Sequence, residues 1–248
     1  MNNNTQEKVV IITGASSGIG EAVAKRLAGD GTIVTLAARR KEKLETVRRY
    51  ITDAGGRASF YQMDVTKKEQ LAEIADSVVK QYGRLDVLVG NAGLMAVAPL
   101  STRKVDEWDR MIDINIKGIL YGIAAAWPIF ERQNSGHFIN IASVAGLRVS
   151  APGGTVYSAT KYAVRAISEG VRIESAGKFR STVISPGYIE SELMYGSSDE
   201  AARNSVISAY AQYAIPAPTI ADAVAYAVSQ PTEASINEIV VRATAQEF

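Results

Sequence analysis

Apolar residues in this chain fall into short unbroken runs, separated by stretches where they recur every three or four positions. Residues 8–13, Lys-Val-Val-Ile-Ile-Thr, form the first run and are rich in β-branched side chains. A glycine-rich turn follows, then a helical pattern over 18–28. Further runs at 32–37, 58–63, 86–89, 137–141, 181–185 and 238–241 predict strands. Helical patterns at 41–54, 67–82, 103–132, 155–175 and 220–229 alternate with them.

Strands of four to six mostly apolar residues have both faces buried, as in a parallel sheet covered by helices. Parallel neighbours require crossovers of one hand. The pattern therefore predicts an α/β chain with a single-domain, doubly wound Rossmann fold over 1–248. Its seven-stranded parallel sheet is flanked by helices. A chain of 248 residues is within the range of one such domain. The least regular stretch is 188–198, just after the sixth strand. Residues 188–215 are expected to form a substrate-covering loop and helices.

Composition narrows the function. The net charge of +1 calls for no polyanionic partner, so neither nucleic acid nor an anionic membrane is expected. No cysteine is present, which removes thiolate nucleophiles and disulfides. The single histidine, His137, cannot build a histidine-rich metal site, and no metal is expected. His137 opens the fifth run and reads as a surface or strand-edge residue. No run approaches the roughly 18–20 apolar residues of a membrane span. The polar N-terminus lacks the pattern of a signal peptide. A cytoplasmic location is the expectation.

The turn after the first strand reads Thr13-Gly14-Ala15-Ser16-Ser17-Gly18-Ile19-Gly20. Small residues let backbone approach a pyrophosphate, and the following helix start offers free N–H donors. The spacing is Gly-xxx-Gly-x-Gly, unlike the commonest dinucleotide fingerprint. The second strand ends Ala37-Ala38-Arg39-Arg40. An acid near this point would bind the ribose 2′-hydroxyl of NAD; here Ala38 is followed by two arginines, which suit the 2′-phosphate of NADP.

Asn91-Ala92-Gly93, Asn115, Ser143, Tyr157-Ser-Ala-Thr-Lys161 and Pro186-Gly187 follow in order. With the glycine turn, they give nearly the whole chain the look of a short-chain dehydrogenase/reductase. The resemblance implies NADP(H) as cofactor and a small carbonyl or alcohol as substrate. It implies that Asp64 and Val65 contact adenine, and that Asn91, Ala92 and Gly93 pack against the adenine ribose. Pro186, Gly187 and Ile189 would border the nicotinamide, Lys161 would hold its ribose, and Asn115 would hold a water in a proton relay. In family members the segment before Ala-Gly is usually Asn-Asn; Gly90 replaces the first and is expected to loosen that strand end. A homo-oligomer, dimer or tetramer, is also implied. Its contacts would come from 103–132, 155–175 and the C-terminal strand with the tail to 248.

The chemistry is also legible from residue types. Carbonyl reduction needs a proton on oxygen, and a free tyrosine titrates near ~10, high for a base. Tyr157 and Lys161 are four positions apart on one helix face, so the lysine cation is expected to lower the phenol. Ser143, after the fifth strand, would hold the substrate oxygen, or else simply cap a turn. Met95, Val144, Leu147, Tyr188 and Met194, with Ser143 and Tyr157, are expected to line the substrate pocket. The walls are expected at 94–98, 144–149 and 188–194; the first two are mostly apolar, with Arg148 as the charged exception, and the third mixes apolar residues with Glu190 and Glu192. Residues 221–228 and 237–242 resemble the branch of the family that holds 3-hydroxy acid and serine dehydrogenases. Three functions are therefore weighed: an NADPH-dependent carbonyl reductase, the NADP-dependent 3-hydroxy acid (serine-type) dehydrogenase that this branch resemblance implies, and a catalytically silent NADP-binding protein. The intact Asn115, Ser143, Tyr157 and Lys161 argue against the third.

Overall fold

The computed structural model describes residues 7–150 and 152–247. Residues 1–6, 151 and 248, parts of the expected 1–248 domain and of the expected contact tail, lie outside the described residues.

Seven strands alternate with helices in chain order. They are β1 (Val9–Thr13), α1 (Gly18–Gly29), β2 (Ile33–Ala38), α2 (Lys41–Asp53), β3 (Arg57–Gln62), α3 (Lys68–Tyr82) and β4 (Val87–Gly90). There follow α4 (Val105–Ile112), α5 (Gly118–Gln133), β5 (His137–Ile141), α6 (Thr155–Glu174) and β6 (Arg180–Pro186). Last come α7 (Glu200–Tyr213), α8 (Pro218–Ser229) and β7 (Glu238–Val241). The strands form one parallel sheet in the order β3-β2-β1-β4-β5-β6-β7. This is the doubly wound single-domain fold that the hydrophobic pattern predicts.

Alternation along β1 shows why its run is unbroken. Val10 and Ile12 join the core beneath α1, α2 and α8, whereas Val9 and Ile11 join the core beneath α3 and α5. Successive strand side chains point to opposite faces, and here both faces are dry. Ile12 is fully buried; truncating such a residue to Ala typically costs about 2–5 kcal/mol.

Strand order reverses at β1 and β4, which lie side by side through Ile12↔Val89. The loops leaving their C-terminal ends diverge there and open a crevice. Gly90 closes against this region: a Cβ added to it would lie 2.5 Å from Asn140 Oδ1 and 2.5 Å from Ile119 Cδ1. Glycine therefore permits tight packing at this strand end, contrary to the expected loosening.

The predicted helix 103–132 is divided. A π-helical turn, Asp113–Lys117, joins α4 to α5. Such a turn widens the helix locally, often at functional sites, and Asn115 within it is buried. His137 also departs from expectation. It is 1% exposed within β5, with Nε2 hydrogen-bonded to Thr182 Oγ1 at 2.7 Å. Burial, then Arg180 and Lys8, hold its pKa well below the usual value, so it is a neutral core residue. Among the described residues, no helix is long and apolar enough to cross a membrane, and no group of three or more His, Cys, Asp or Glu could hold a metal.

Candidate active site

A cleft of about 670 Å³ runs along the C-terminal edge of the sheet. Loops after β1, β4, β5 and β6 form its walls, the position the strand order dictates. Its size suits a small-molecule ligand.

One end is built on the turn after β1. Gly14 has φ of 66°, and an added Cβ would lie 2.8 Å from Asn91 Nδ2. Asn91 Nδ2 donates to Thr13 O at 2.9 Å and Gly14 O at 3.3 Å. The Asn91 and Ala92 N–H groups donate to Thr13 Oγ1 at 3.0 and 3.1 Å. These bonds lock the β1 turn to the β4 loop and leave the cleft face to backbone. Gly20 lies behind the turn, where an added Cβ would sit 2.4 Å from Gly14 O; it permits packing and does not line the cleft. Ser16, Ser17, Gly18 and Ile19 do line it. Ser17, the N-cap of α1, makes no side-chain cap bond. The first N–H groups of α1 and its positive dipole end thus face the cleft free of that partner.

The end of β2 brings cations to this turn. Arg40 Nη2 donates to Ser17 Oγ at 2.7 Å and to Ser16 Oγ at 3.1 Å. Arg40 Nη1 and Lys43 Nζ each reach the Glu192 carboxylate at 2.5 Å. Hydrogen bonds from Lys43, then Arg40, hold that carboxyl down to about 2. Arg39 is exposed and lines the cleft. Asp64 lines it beside Val65, with its carboxylate accepting from Thr66 N and Oγ1 at 2.9 Å. Burial pushes Asp64 up, but the Thr66 bonds and Arg39 outweigh it and hold the carboxyl below its usual range. A glycine turn without room for Cβ atoms, a free helix start and nearby cations fit the phosphates of a dinucleotide.

At the other end, α6 presents Tyr157 and Lys161 one turn apart, 6% and 5% exposed. Lys161 Nζ donates to Ile141 O at 2.9 Å and lies 5.8 Å from the Tyr157 ring centre. Burial lowers the Lys161 ammonium to about 8. Tyr157 goes the other way. Burial foremost, then Tyr210, raises the phenol, against an opposing hydrogen bond with Ser143. The expected lowering by Lys161 is thus overturned: desolvation dominates, and the ammonium is turned toward the Ile141 carbonyl.

Ser143 serves two purposes. It accepts from Ala145 N at 3.1 Å, capping the short turn Val144–Gly146, and donates to Pro186 O at 3.4 Å while facing the cleft. Asn115 Oδ1 accepts from Leu94 N at 2.8 Å, and Nδ2 donates to Leu94 O at 2.9 Å and Thr160 Oγ1 at 3.0 Å. It stands behind the wall and ties the β4 loop to α6. A methyl group on Gly93 would lie 3.5 Å from Asn115 Oδ1 and 3.7 Å from Lys161 Nζ, so both side chains face the space beside Gly93.

Met95, Val144 and Tyr188 line the cleft as expected, but Leu147 and Met194 do not. In the short turn Glu192–Tyr195 the cleft is lined by Glu192 and Leu193, and Leu147 sits where the chain leaves the Val144–Gly146 turn. Helix α7 adds Val206, Tyr210 and Tyr213, with the Tyr188 ring 5.2 Å from Tyr210 and 6.0 Å from Tyr213. Pro186 and Gly187 border the same space, and Ile189 bridges to Ile215. Gln246 folds back from the C-terminal tail, and its Oε1 accepts from Tyr188 N at 3.2 Å. Sequence reasoning missed Lys43, Glu192 as a partner of Arg40, and Gln246. A basic residue one turn into α2 was a usable signal for Lys43; the other two gave none.

A buried phenol, a hydroxyl and an ammonium beside a dinucleotide-shaped cleft can pass a proton to or from a substrate oxygen. Residues 8–202 match the family model for short chain dehydrogenases. An uncharacterized oxidoreductase of Listeria monocytogenes is 47% identical over 246 residues, covering 98% of this chain and 99% of the relative. The alcohol dehydrogenase of the archaeon Thermococcus sibiricus, solved with 5-hydroxy-NADP, has a TM-score of 0.87 and 28% identity, covering 98% of this chain and 99% of its own. The closed form of a serine dehydrogenase with NADP+ has a TM-score of 0.87 and 30% identity, covering 97% and 96%. A short-chain dehydrogenase/reductase from Burkholderia phymatum with NAD has a TM-score of 0.87 and 25% identity, covering 94% and 88%. This chain is therefore a member of the short-chain dehydrogenase/reductase family of oxidoreductases.

Proposed function

We propose that this protein is an NADPH-dependent oxidoreductase that reversibly reduces a ketone or aldehyde to an alcohol, with Tyr157 as general acid and base. One observation carries the reading. Tyr157, Ser143 and Lys161 border one end of a cleft whose other end is lined by Ser16, Ser17, Arg39 and Arg40. NADP is favoured over NAD by Ala38 at the end of β2 and by the cations that follow it. Two of the solved relatives carry NADP compounds, in keeping with this choice.

When bound, the nicotinamide supplies or accepts the hydride. Tyr157 stays protonated at neutral pH because burial raises it, so it gives its proton to the carbonyl oxygen as negative charge develops. Ser143 holds that oxygen beside the phenol. Lys161, an ammonium below about pH 8, favours the phenolate that is left and binds the ribose. Asn115 fixes the Leu94 backbone and, with Lys161, faces the space through which a water returns the proton. Leu94, Met95, Val97, Val144 and Tyr188 make an apolar substrate wall, which suits a hydrophobic carbonyl compound. Residues 188–215 cover it. The protein acts in the cytoplasm as a homo-oligomer, whose contacts use the exposed Ile112, Leu120, Tyr162 and Ile173 on α4, α5 and α6.

A second reading is an NADP-dependent 3-hydroxy acid dehydrogenase of the serine type. Arg148 in the cleft wall favours it, since its guanidinium can pair with a substrate carboxylate. The test is the initial rate of NADPH and NADH oxidation with aryl ketones, aldehydes, diketones and 3-oxo acids, and the reverse assay with 3-hydroxy acids and serine. NADPH-dependent reduction of apolar ketones supports the first reading, and selective turnover of acids the second. Tight NADPH binding without any turnover replaces both with a silent binding protein.

A further inference from the structure

The loop after β6 meets the phosphate end of the cleft at two points. Ser191 lies against the start of α1, with its Cβ 3.1 Å from where a Cβ on Gly18 would stand. One residue on, Glu192 places one carboxylate oxygen 2.5 Å from Arg40 Nη1 and the other 2.5 Å from Lys43 Nζ. Ser17 also hydrogen-bonds to this carboxylate. Arg40 and Lys43 belong to the end of β2 and the first turn of α2, the place where a 2′-phosphate is recognised in this fold. The three partners of Glu192 are thus the donors that an anion on the adenosine ribose would use.

We propose that Glu192 is a specificity-determining residue that competes with the 2′-phosphate for Ser17, Arg40 and Lys43, and that Lys43 is part of the 2′-phosphate site. This rests on the NADP reading. A carboxylate and a phosphate cannot share these donors, because like charges at that distance repel. NADP must displace Glu192, whereas NAD, with a neutral 2′-hydroxyl, leaves the pairing intact. Glu192 therefore subtracts from the NADP preference that the cations confer. The loop that carries it leads into α7 and the tyrosines of the substrate wall, so 2′-phosphate binding is coupled to the cover of the pocket.

The test is calorimetric titration of the full-length protein with NADP+ and with NAD+, comparing Glu192→Gln, Glu190→Gln, Lys43→Met and Arg40→Ala with the parent. Glu190 is exposed in the same loop and controls for general charge. Exposed ion pairs are individually weak, so Glu192→Gln is expected to tighten NADP+ by about 3- to 10-fold and to leave NAD+ within about twofold. Glu190→Gln should leave both within about twofold, and Lys43→Met should weaken NADP+ selectively. Weaker or unchanged NADP+ binding in Glu192→Gln overturns the proposal, as does equal tightening by Glu190→Gln. If Lys43→Met and Arg40→Ala fail to separate NADP+ from NAD+, the NADP reading itself fails. A failure confined to the Glu192 arm leaves that reading standing.

Discussion

Lys161 Nζ is hydrogen-bonded to the Ile141 carbonyl at 2.9 Å and lies 5.8 Å from the centre of the Tyr157 ring. The end of β5 thus holds the ammonium, and α6 holds the phenol beside it. Both groups are buried, and burial moves them in opposite directions, the lysine down to about 8 and the tyrosine up. Each shift opposes charge in a dry site.

Tyr157→Phe removes the proton donor and keeps the ring. Turnover should fall by about 10²- to 10⁴-fold, the usual worth of a positioned acid. NADPH affinity, read by fluorescence titration, should change less than threefold. Retained turnover would show that another group protonates the substrate.

The pH profile follows from the two shifts. Tyr157 is protonated at neutral pH, and Lys161 carries its charge below about 8. The kcat/KM for carbonyl reduction should therefore be level below pH 8 and fall above it, while alcohol oxidation, which needs the phenolate, should climb with pH. Steady-state rates in both directions between pH 6 and 9.5 check this; a reduction rate that rises with pH sinks it.

Lys161 also makes stability depend on pH. Its folded pKa of about 8 lies below the ordinary lysine value of 10.5. Between these values the unfolded chain binds the extra proton, so this residue's contribution to stability rises with pH and is lost as pH falls toward 8. Lys161→Met should gain thermal stability relative to the parent by a few °C at pH 7, about the scale of a 1 kcal/mol change in a chain of this size. The difference in Tm should shrink as pH is raised to 9.5. A difference that does not vary with pH would mean that the buried amine does not titrate as described.

Arg40→Ala should raise the Kd of NADPH by about 10- to 100-fold, the worth of charged hydrogen bonds, with a much smaller effect on NADH. Arg39→Ala should act in the same direction but less, because Arg39 makes none of the bonds that tie Arg40 to Ser16 and Ser17. Equal losses with both cofactors would remove the phosphate assignment.

Gln246→Ala tests the tail. Its Oε1 bonds to Tyr188 N and occupies the space where a Cβ on Gly187 would lie. Losing this clamp should raise the KM for NADPH several-fold, since a loop left to order on binding costs about 0.5–1.5 kcal/mol per immobilised side chain. Thermal unfolding should hardly move, and a large fall in Tm instead would make Gln246 a folding residue.

The inner strands β1, β2, β4, β5 and β6 were legible because mostly apolar runs have one economical arrangement, a sheet buried on both faces, whereas the edge strands β3 and β7 are only partly buried. Predicted and observed ends differ by one residue at most strands, as fraying and capping dictate. The glycine turn after β1 was legible for a local reason too, since Gly14 and Gly20 have no room for a side chain. Family order then marked Asn115, Ser143, Tyr157 and Lys161, and the folded chain brings the last three to one end of the cleft, with Asn115 behind its wall.

Relations between distant segments were not legible. Glu192 and Arg40 are 152 positions apart, and no periodicity joins them. His137 read as a surface residue because histidine is polar, but parallel pairing on both sides of β5 buries it. Tyr157 was expected to be lowered by a lysine on its own helix face, yet the surrounding core desolvates both. The sequence by itself determined strands, order and residue types, because these rest on local chemistry and period. Charge state, cleft wall and the partner of each cation were decided by tertiary structure, because they depend on which distant atoms exclude water from a group and which replace it.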